Sequence, residues 1–107
     1  MADIHSVFIN EILTTIKKIK KLLKNVTFAD FNTNYHLVDN VIKYLKVIGE
    51  ASKHVSKETQ SEYKNIPWSQ LKNLRDIENN PEHIELVWNI ATVNLPEIKP
   101  SIKDVLN

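Results

Sequence analysis

At 107 residues the chain has room for one domain of typical size, roughly 150 residues, and no second. Hydrophobic residues at 42% and charged residues at 25% are ordinary for a globular protein, and a net charge of +1 gives no global attraction to nucleic acid. The lack of cysteine excludes disulfide frameworks, CxxC zinc sites and thiol nucleophiles; a single glycine, Gly49, excludes glycine-rich phosphate loops and argues against a β-sandwich or barrel.

The N-terminus, Met1-Ala2-Asp3-Ile4-His5, has neither a basic nor an apolar leader region, and the longest apolar runs are far too short to span a bilayer. The expectation is a cytoplasmic protein with no membrane contact, folded over residues 1–107 as a single helical domain. From Asp3, a candidate N-cap, apolar residues recur at Ile9, Ile12, Ile16, Ile19, Leu23 and Val26, the three-and-four spacing of a core-facing helix. Lys17, Lys18, Lys20, Lys21 and Lys24 crowd the C-terminal half of this helix. They read as a solvated face that suits the helix dipole, or as contacts for RNA phosphate.

Thr27 to Phe31 reads as a short capped turn. A second long helix then runs from about Asn34 to Val55 on Val38, Val41, Leu45, Ile48 and Val55. Gly49 costs this helix about 1 kcal/mol relative to alanine, which predicts the close approach of another segment at that point. Ser56 caps a short segment through Tyr63, and Pro67 starts a third helix with Trp68, Leu71, Leu74 and Ile77. Asn79-Asn80-Pro81 breaks the chain, and a fourth helix carries Ile84, Val87, Trp88 and Ala91. Asn94-Leu95-Pro96 predicts another interruption before a last amphipathic turn or two with Ile98, Ile102, Val105 and Leu106. These elements predict an all-α, antiparallel four-helix up-and-down bundle with a short C-terminal helical extension.

Chemistry-bearing residues are sparse. His5, His36, His54 and His83 form no HxxxH or HxxH pair, and Glu-x-x-His occurs nowhere, so neither a metal nor a cofactor is expected. Glu50 and His54 lie one helical turn apart and read as a surface ion pair. Trp68 and Trp88 fall on apolar stripes as core or interface anchors. Thirteen of the fourteen basic residues are lysines; the one arginine, Arg75, precedes Asp76. It reads as the charged end of a helix, or as a planar, permanently charged group suited to phosphate.

Three ordered segments resemble the HepT family of small HEPN-domain proteins. Val47-Ile48-Gly49-Glu50-Ala51-Ser52-Lys53 is similar to its "IGEA" segment, and Ile66-Pro67-Trp68 followed by Leu74-Arg75-Asp76 to its "PW…(M/L)R(N/D)" segment. Val87-Trp88 followed by Asn94-Leu95-Pro96-Glu97-Ile98 is similar to its "VW…DLPxL" ending. The resemblance spans nearly the whole chain. It implies a dimeric helical bundle, the toxin of a toxin–antitoxin pair, that cleaves RNA without metal and is partnered by a minimal nucleotidyltransferase antitoxin. It also implies a catalytic set of an arginine, a polar neighbour and a following histidine. Here Arg75 and Asp76 fill the first two roles, and Glu50 is positioned to orient Arg75.

The family's histidine, followed two residues later by a tyrosine, is missing after Arg75-Asp76, where Ile77-Glu78-Asn79-Asn80-Pro81-Glu82 stands. His83 is next in the chain, as a displaced catalytic histidine or as a first-turn residue of the fourth helix. The expected function is an endoribonuclease impaired by this loss. The alternative is a catalytically inert helical dimer that holds a nucleotidyltransferase or its substrate.

Overall fold

The computed structural model describes residues 4–106, with side chains from Ser6, so the expected cap Asp3 lies outside the described residues. Helix α1 (Ile4–Leu22) is followed by α2 (Phe28–Asn32), α3 (Tyr35–Lys53), α4 (Lys57–Glu62) and α5 (Trp68–Asn73). Two 3₁₀ turns come next, Leu74–Asp76 and Pro81–His83, and then α6 (Ile84–Asn89), a π turn (Ile90–Asn94) and α7 (Leu95–Asp104). The protein is all-α, with no strand among the described residues, and no described helix is long and apolar enough to cross a membrane.

The periodic stripes form the core of a helical bundle. Ile9, Ile12, Ile16 and Ile19 of α1 are sealed against Val38, Val41, Leu45 and Ile48 of α3, and Leu71, Leu74, Val87, Leu95 and Ile102 close the other sides. Phe8, near the start of α1, stacks on His54 at the end of α3 with ring centroids 5.1 Å apart, so these two helices run antiparallel. Because Ile12 is fully buried in this packing, Ile12→Val is expected to cost about 0.5–1.5 kcal/mol in urea unfolding, through the lost methylene and the space it leaves.

Helix ends follow local chemistry. Asn25 turns the chain after α1 in the left-handed region, at φ 63°, which asparagine tolerates better than most residues. Thr27 and Asp30 form a reciprocal capping box on α2, Asn34 caps α3 through the Leu37 amide, and Ser56 caps α4 through the Thr59 amide. Trp68 is a core anchor and Trp88 packs half-buried at the core edge. Trp68 is buried and donates its ring N–H to the Tyr63 carbonyl at 3.0 Å, while Trp88 packs on the rings of Phe28 and Phe31.

Two boundaries differ from the sequence expectation. The third helix ends at Asn73 and tightens into a 3₁₀ turn, after which Ile77 is extended rather than helical. The Asn94-Leu95-Pro96 segment does not interrupt the fourth helix. The backbone stays helical from α6 through α7 by widening into a π turn, in which the Leu95 amide reaches back to the Ile90 carbonyl. Pro96 has no amide to donate and its ring would press on the carbonyl four residues before it, so a wider turn accommodates it. Burial of Leu95 and Ile102, at 1% and 0% exposure, holds α7 on the bundle and keeps the helix going. The expected C-terminal extension is thus the upper half of the fourth helix.

Candidate active site around Arg75

The site begins with a missing side chain. A β-carbon on Gly49 would stand 2.6 Å from the Arg75 amide nitrogen, closer than such atoms can pack, and a tight 3.1 Å from the Arg75 Cβ. Glycine therefore lets the 3₁₀ turn Leu74–Asp76 lie directly against α3, with its backbone pressed to the helix surface. Leu74 is buried in the core and fixes the turn from its other side, which leaves Arg75 projecting toward solvent.

The next residue on α3 is Glu50, whose Oε2 lies 3.7 Å from Arg75 Nη1. This is an ion pair between half-exposed groups, longer than a bidentate hydrogen-bonded fork, and such a pair adds little to stability. Its effect is positional. The other carboxylate oxygen, Oε1, faces His54 Nε2 at 3.5 Å, one helical turn on. Stacking on Phe8 with 23° between the planes sets the orientation of the imidazole. One carboxylate thus stands between a guanidinium and an imidazole, and all three groups reach solvent, at 40%, 55% and 51% side-chain exposure for Arg75, Glu50 and His54.

Of the residues singled out in the sequence, the fold joins Arg75 and Glu50. Asp76 is exposed beside Arg75 in the same 3₁₀ turn and makes no side-chain hydrogen bond or ion pair among the described residues. His83 ends the second 3₁₀ turn, where its amide bonds to the Asn80 carbonyl at 2.8 Å; the Asn80 side chain accepts from the Glu82 amide and caps this turn. No hydrogen bond or ion pair links His83 to Arg75. Between the two turns, Asn79 carries a buried amide nitrogen without a partner among the described residues.

His54 is the residue that sequence reading passed over as a site member. Its pairing with Glu50 was legible from the four-residue spacing, but nothing in the sequence places Arg75 on the same carboxylate. That juxtaposition comes from the packing of the 3₁₀ turn on Gly49. Among the described residues no group of three or more histidine, aspartate or glutamate side chains is arranged to hold a metal ion. The chemistry the cluster offers is recognition of an anion by a guanidinium and proton exchange by a neighbouring imidazole.

Comparison with known proteins gives a consistent picture. A family model described as "Ribonuclease HepT-like" matches residues 12–105. A protein of Methanocaldococcus jannaschii named "Gamma-glutamylcyclotransferase and putative RNase" is 31% identical over 103 residues, covering 94% of this chain but 46% of its own length. The chain thus spans about half of that relative. Another M. jannaschii protein, named "Putative RNase", is 28% identical, with 92% of this chain and 93% of the relative covered. A Thermococcus cleftensis protein named "Probable ribonuclease HepT" is 24% identical, with 89% of each chain covered. No solved structure matches significantly.

Proposed function

Because the chain belongs to the HepT-like ribonuclease family, we propose that it is a metal-independent endoribonuclease of slow turnover, the toxin of a toxin–antitoxin pair, with Arg75 at the reacting phosphate. The observation that carries this reading is the Arg75–Glu50–His54 cluster, an accessible guanidinium oriented by a carboxylate that also orients an imidazole. Cleavage of RNA requires that the 2′-hydroxyl lose its proton, that the 2′-oxygen attack phosphorus, and that the departing 5′-oxygen receive a proton. Arg75 is suited to stabilise charge on the phosphoryl oxygens, and an imidazole, which can both accept and donate a proton, to move the protons. Asp76 is the polar neighbour of the family pattern. The turnover is slow because the histidine expected soon after Arg75 is absent and His83 lies beyond a capped break.

The test is cleavage of a synthetic RNA by purified protein in the presence of a chelator, comparing His54→Ala with His83→Ala. Weak cleavage that His54→Ala lowers further and His83→Ala leaves alone is the expected result. Robust cleavage abolished by His83→Ala would overturn it and assign the proton transfer to His83. The missing histidine favours a second reading, an inert helical dimer that serves a minimal nucleotidyltransferase antitoxin. The absence of any cleavage together with tight binding of such a partner would establish it.

In either reading the chain works as a homodimer. The supporting feature is an apolar groove of about 580 Å³ between α5 and the fourth helix, lined by Pro67, Leu71, Leu86, Ile90 and Ile98, with Leu86 51% exposed. Since Trp68 is buried in the core and Trp88 is half-buried against Phe31, the exposed Leu86 is the better placed anchor for a partner. Leu86→Glu is expected to shift the protein to monomer in light scattering while its helical circular dichroism is kept. An unchanged dimer would remove this groove as the interface.

A further inference from the structure

The lysines at the end of α1 face a second helix. Lys17, Lys20, Lys21 and Lys24 line one wall of an open groove of about 790 Å³, and Lys99 of α7 stands on the other. Its floor is apolar, made in part by Ile16, Ala91 and Pro96, and no acidic side chain lines it. None of the five lysines takes part in an ion pair among the described residues. Burial first, and then the charges of Lys20, Lys17 and Lys103, holds the Lys99 ammonium below the usual lysine range. In a chain with net charge +1, a local excess of this kind is a cost to the free protein that a bound polyanion relieves.

We propose that this groove is an RNA-binding site separate from the Arg75 cluster, with the lysines on the phosphates of a single strand. The proposal rests on the ribonuclease reading for the identity of the polyanion. Lys17 and the adjacent pair Lys20 and Lys21 on α1, with Lys24 just past its end, set positive charges about one helical turn apart, a rise of about 5 Å per step, which suits successive phosphates of an extended strand. Lysines act as mobile point charges without the fixed fork of arginine, so they hold a backbone without selecting its sequence. The aliphatic floor gives the lysines a low-dielectric backing that strengthens their attraction for phosphate, in a space of ordinary ligand-pocket size.

The groove lies away from the cleavage cluster. His54 packs beside Phe8, and Lys17 to Lys21 follow Phe8 by about 14 to 20 Å along the axis of α1. The groove therefore holds RNA at a distance from the scissile bond. It contributes affinity rather than chemistry.

The experiment is fluorescence anisotropy with a labelled 2′-O-methyl oligonucleotide, which lacks the 2′-hydroxyl and cannot be cleaved. The triple variant Lys20→Ala/Lys24→Ala/Lys99→Ala is expected to bind at least about tenfold more weakly, with a salt slope reduced by about 2. Lys43→Ala/Lys46→Ala on α3, outside both the groove and the Arg75 cluster, should bind as the parent does. Melting temperatures of all variants verify that they fold. The salt dependence of the unaltered protein, a steep loss of binding between low and physiological salt, tests the electrostatic basis without any substitution.

An unchanged affinity in the triple variant would overturn the proposal, as would an equal loss in the α3 control or binding of an acidic peptide but no oligonucleotide. Failure of the cleavage reading has a different signature. Cleavage would be absent, or indifferent to Arg75, while oligonucleotide binding still depended on the groove lysines.

Discussion

Arg75→Ala is expected to lower RNA cleavage by about 10²–10³-fold without a matching loss of stability. The guanidinium is the one group in the cluster with a permanent charge and several donors, so its removal leaves nothing to stabilise charge gathering on the phosphoryl oxygens. Its pair with Glu50 is half-exposed and at 3.7 Å, so its loss changes folding little. Arg75→Lys is expected to recover only part of the rate, because an ammonium lacks the planar fork. Glu50→Gln should fall between, since it keeps the shape but frees both Arg75 and His54 from a shared anchor. These expectations are checked by single-turnover cleavage alongside thermal denaturation. Cleavage undiminished by Arg75→Ala would move the chemistry elsewhere on the surface.

Gly49→Ala is expected to damage both the fold and the site. In an exposed helix the same change would stabilise by about 1 kcal/mol, by restricting the unfolded chain and favouring helix. At this position the new methyl group meets the Arg75 backbone nitrogen at 2.6 Å, and a backbone atom cannot rotate away as a side-chain tip can. The 3₁₀ turn has to lift off α3, at the usual cost of overpacking, about 1–3 kcal/mol, which outweighs the helical gain. For a domain this size a net loss of 1 kcal/mol lowers the melting temperature by about 4–8 °C. Cleavage should fall more than stability does, because displacement of Arg75 by even an ångström separates it from Glu50. A melting temperature equal to or above the parent's would show that the turn yields freely.

The same contact shows how the site depends on the fold. Glu50 and His54 are arranged by helical geometry alone, since residues four apart share a face. Arg75 joins them only because Leu74 is buried and Gly49 has no side chain. The site is therefore a product of the core. Substitutions at Leu74 or Gly49 act on it without touching RNA.

Much of this was determined by the amino-acid sequence. The three-and-four spacing of Ile9, Ile12, Ile16, Ile19 and Leu23, and of Val38, Val41, Leu45 and Ile48, dictated which faces would meet, because apolar side chains on one stripe leave water together. Thr27, Asn34 and Ser56 marked the starts of α2, α3 and α4, since a short polar side chain satisfies an amide that the helix leaves open. An isolated glycine within α3 signalled a close neighbour, and the neighbour is Arg75.

Tertiary structure decided the rest. Pro96 reads locally as a helix breaker, yet the helix widens into a π turn and continues, because ending it would strip Leu95 and Ile102 from the core. Ile77 falls on the stripe of the third helix but is extended, as the chain leaves α5 through a 3₁₀ turn seated on Gly49. Whether Trp88 faced a partner or the interior depended on where the rings of Phe28 and Phe31 came to rest. The meeting of Arg75, Glu50 and His54, like that of Lys99 with the α1 lysines, joins residues far apart in the chain. Local patterns carry no information about such pairs; only the packing of whole helices sets which charges end up side by side.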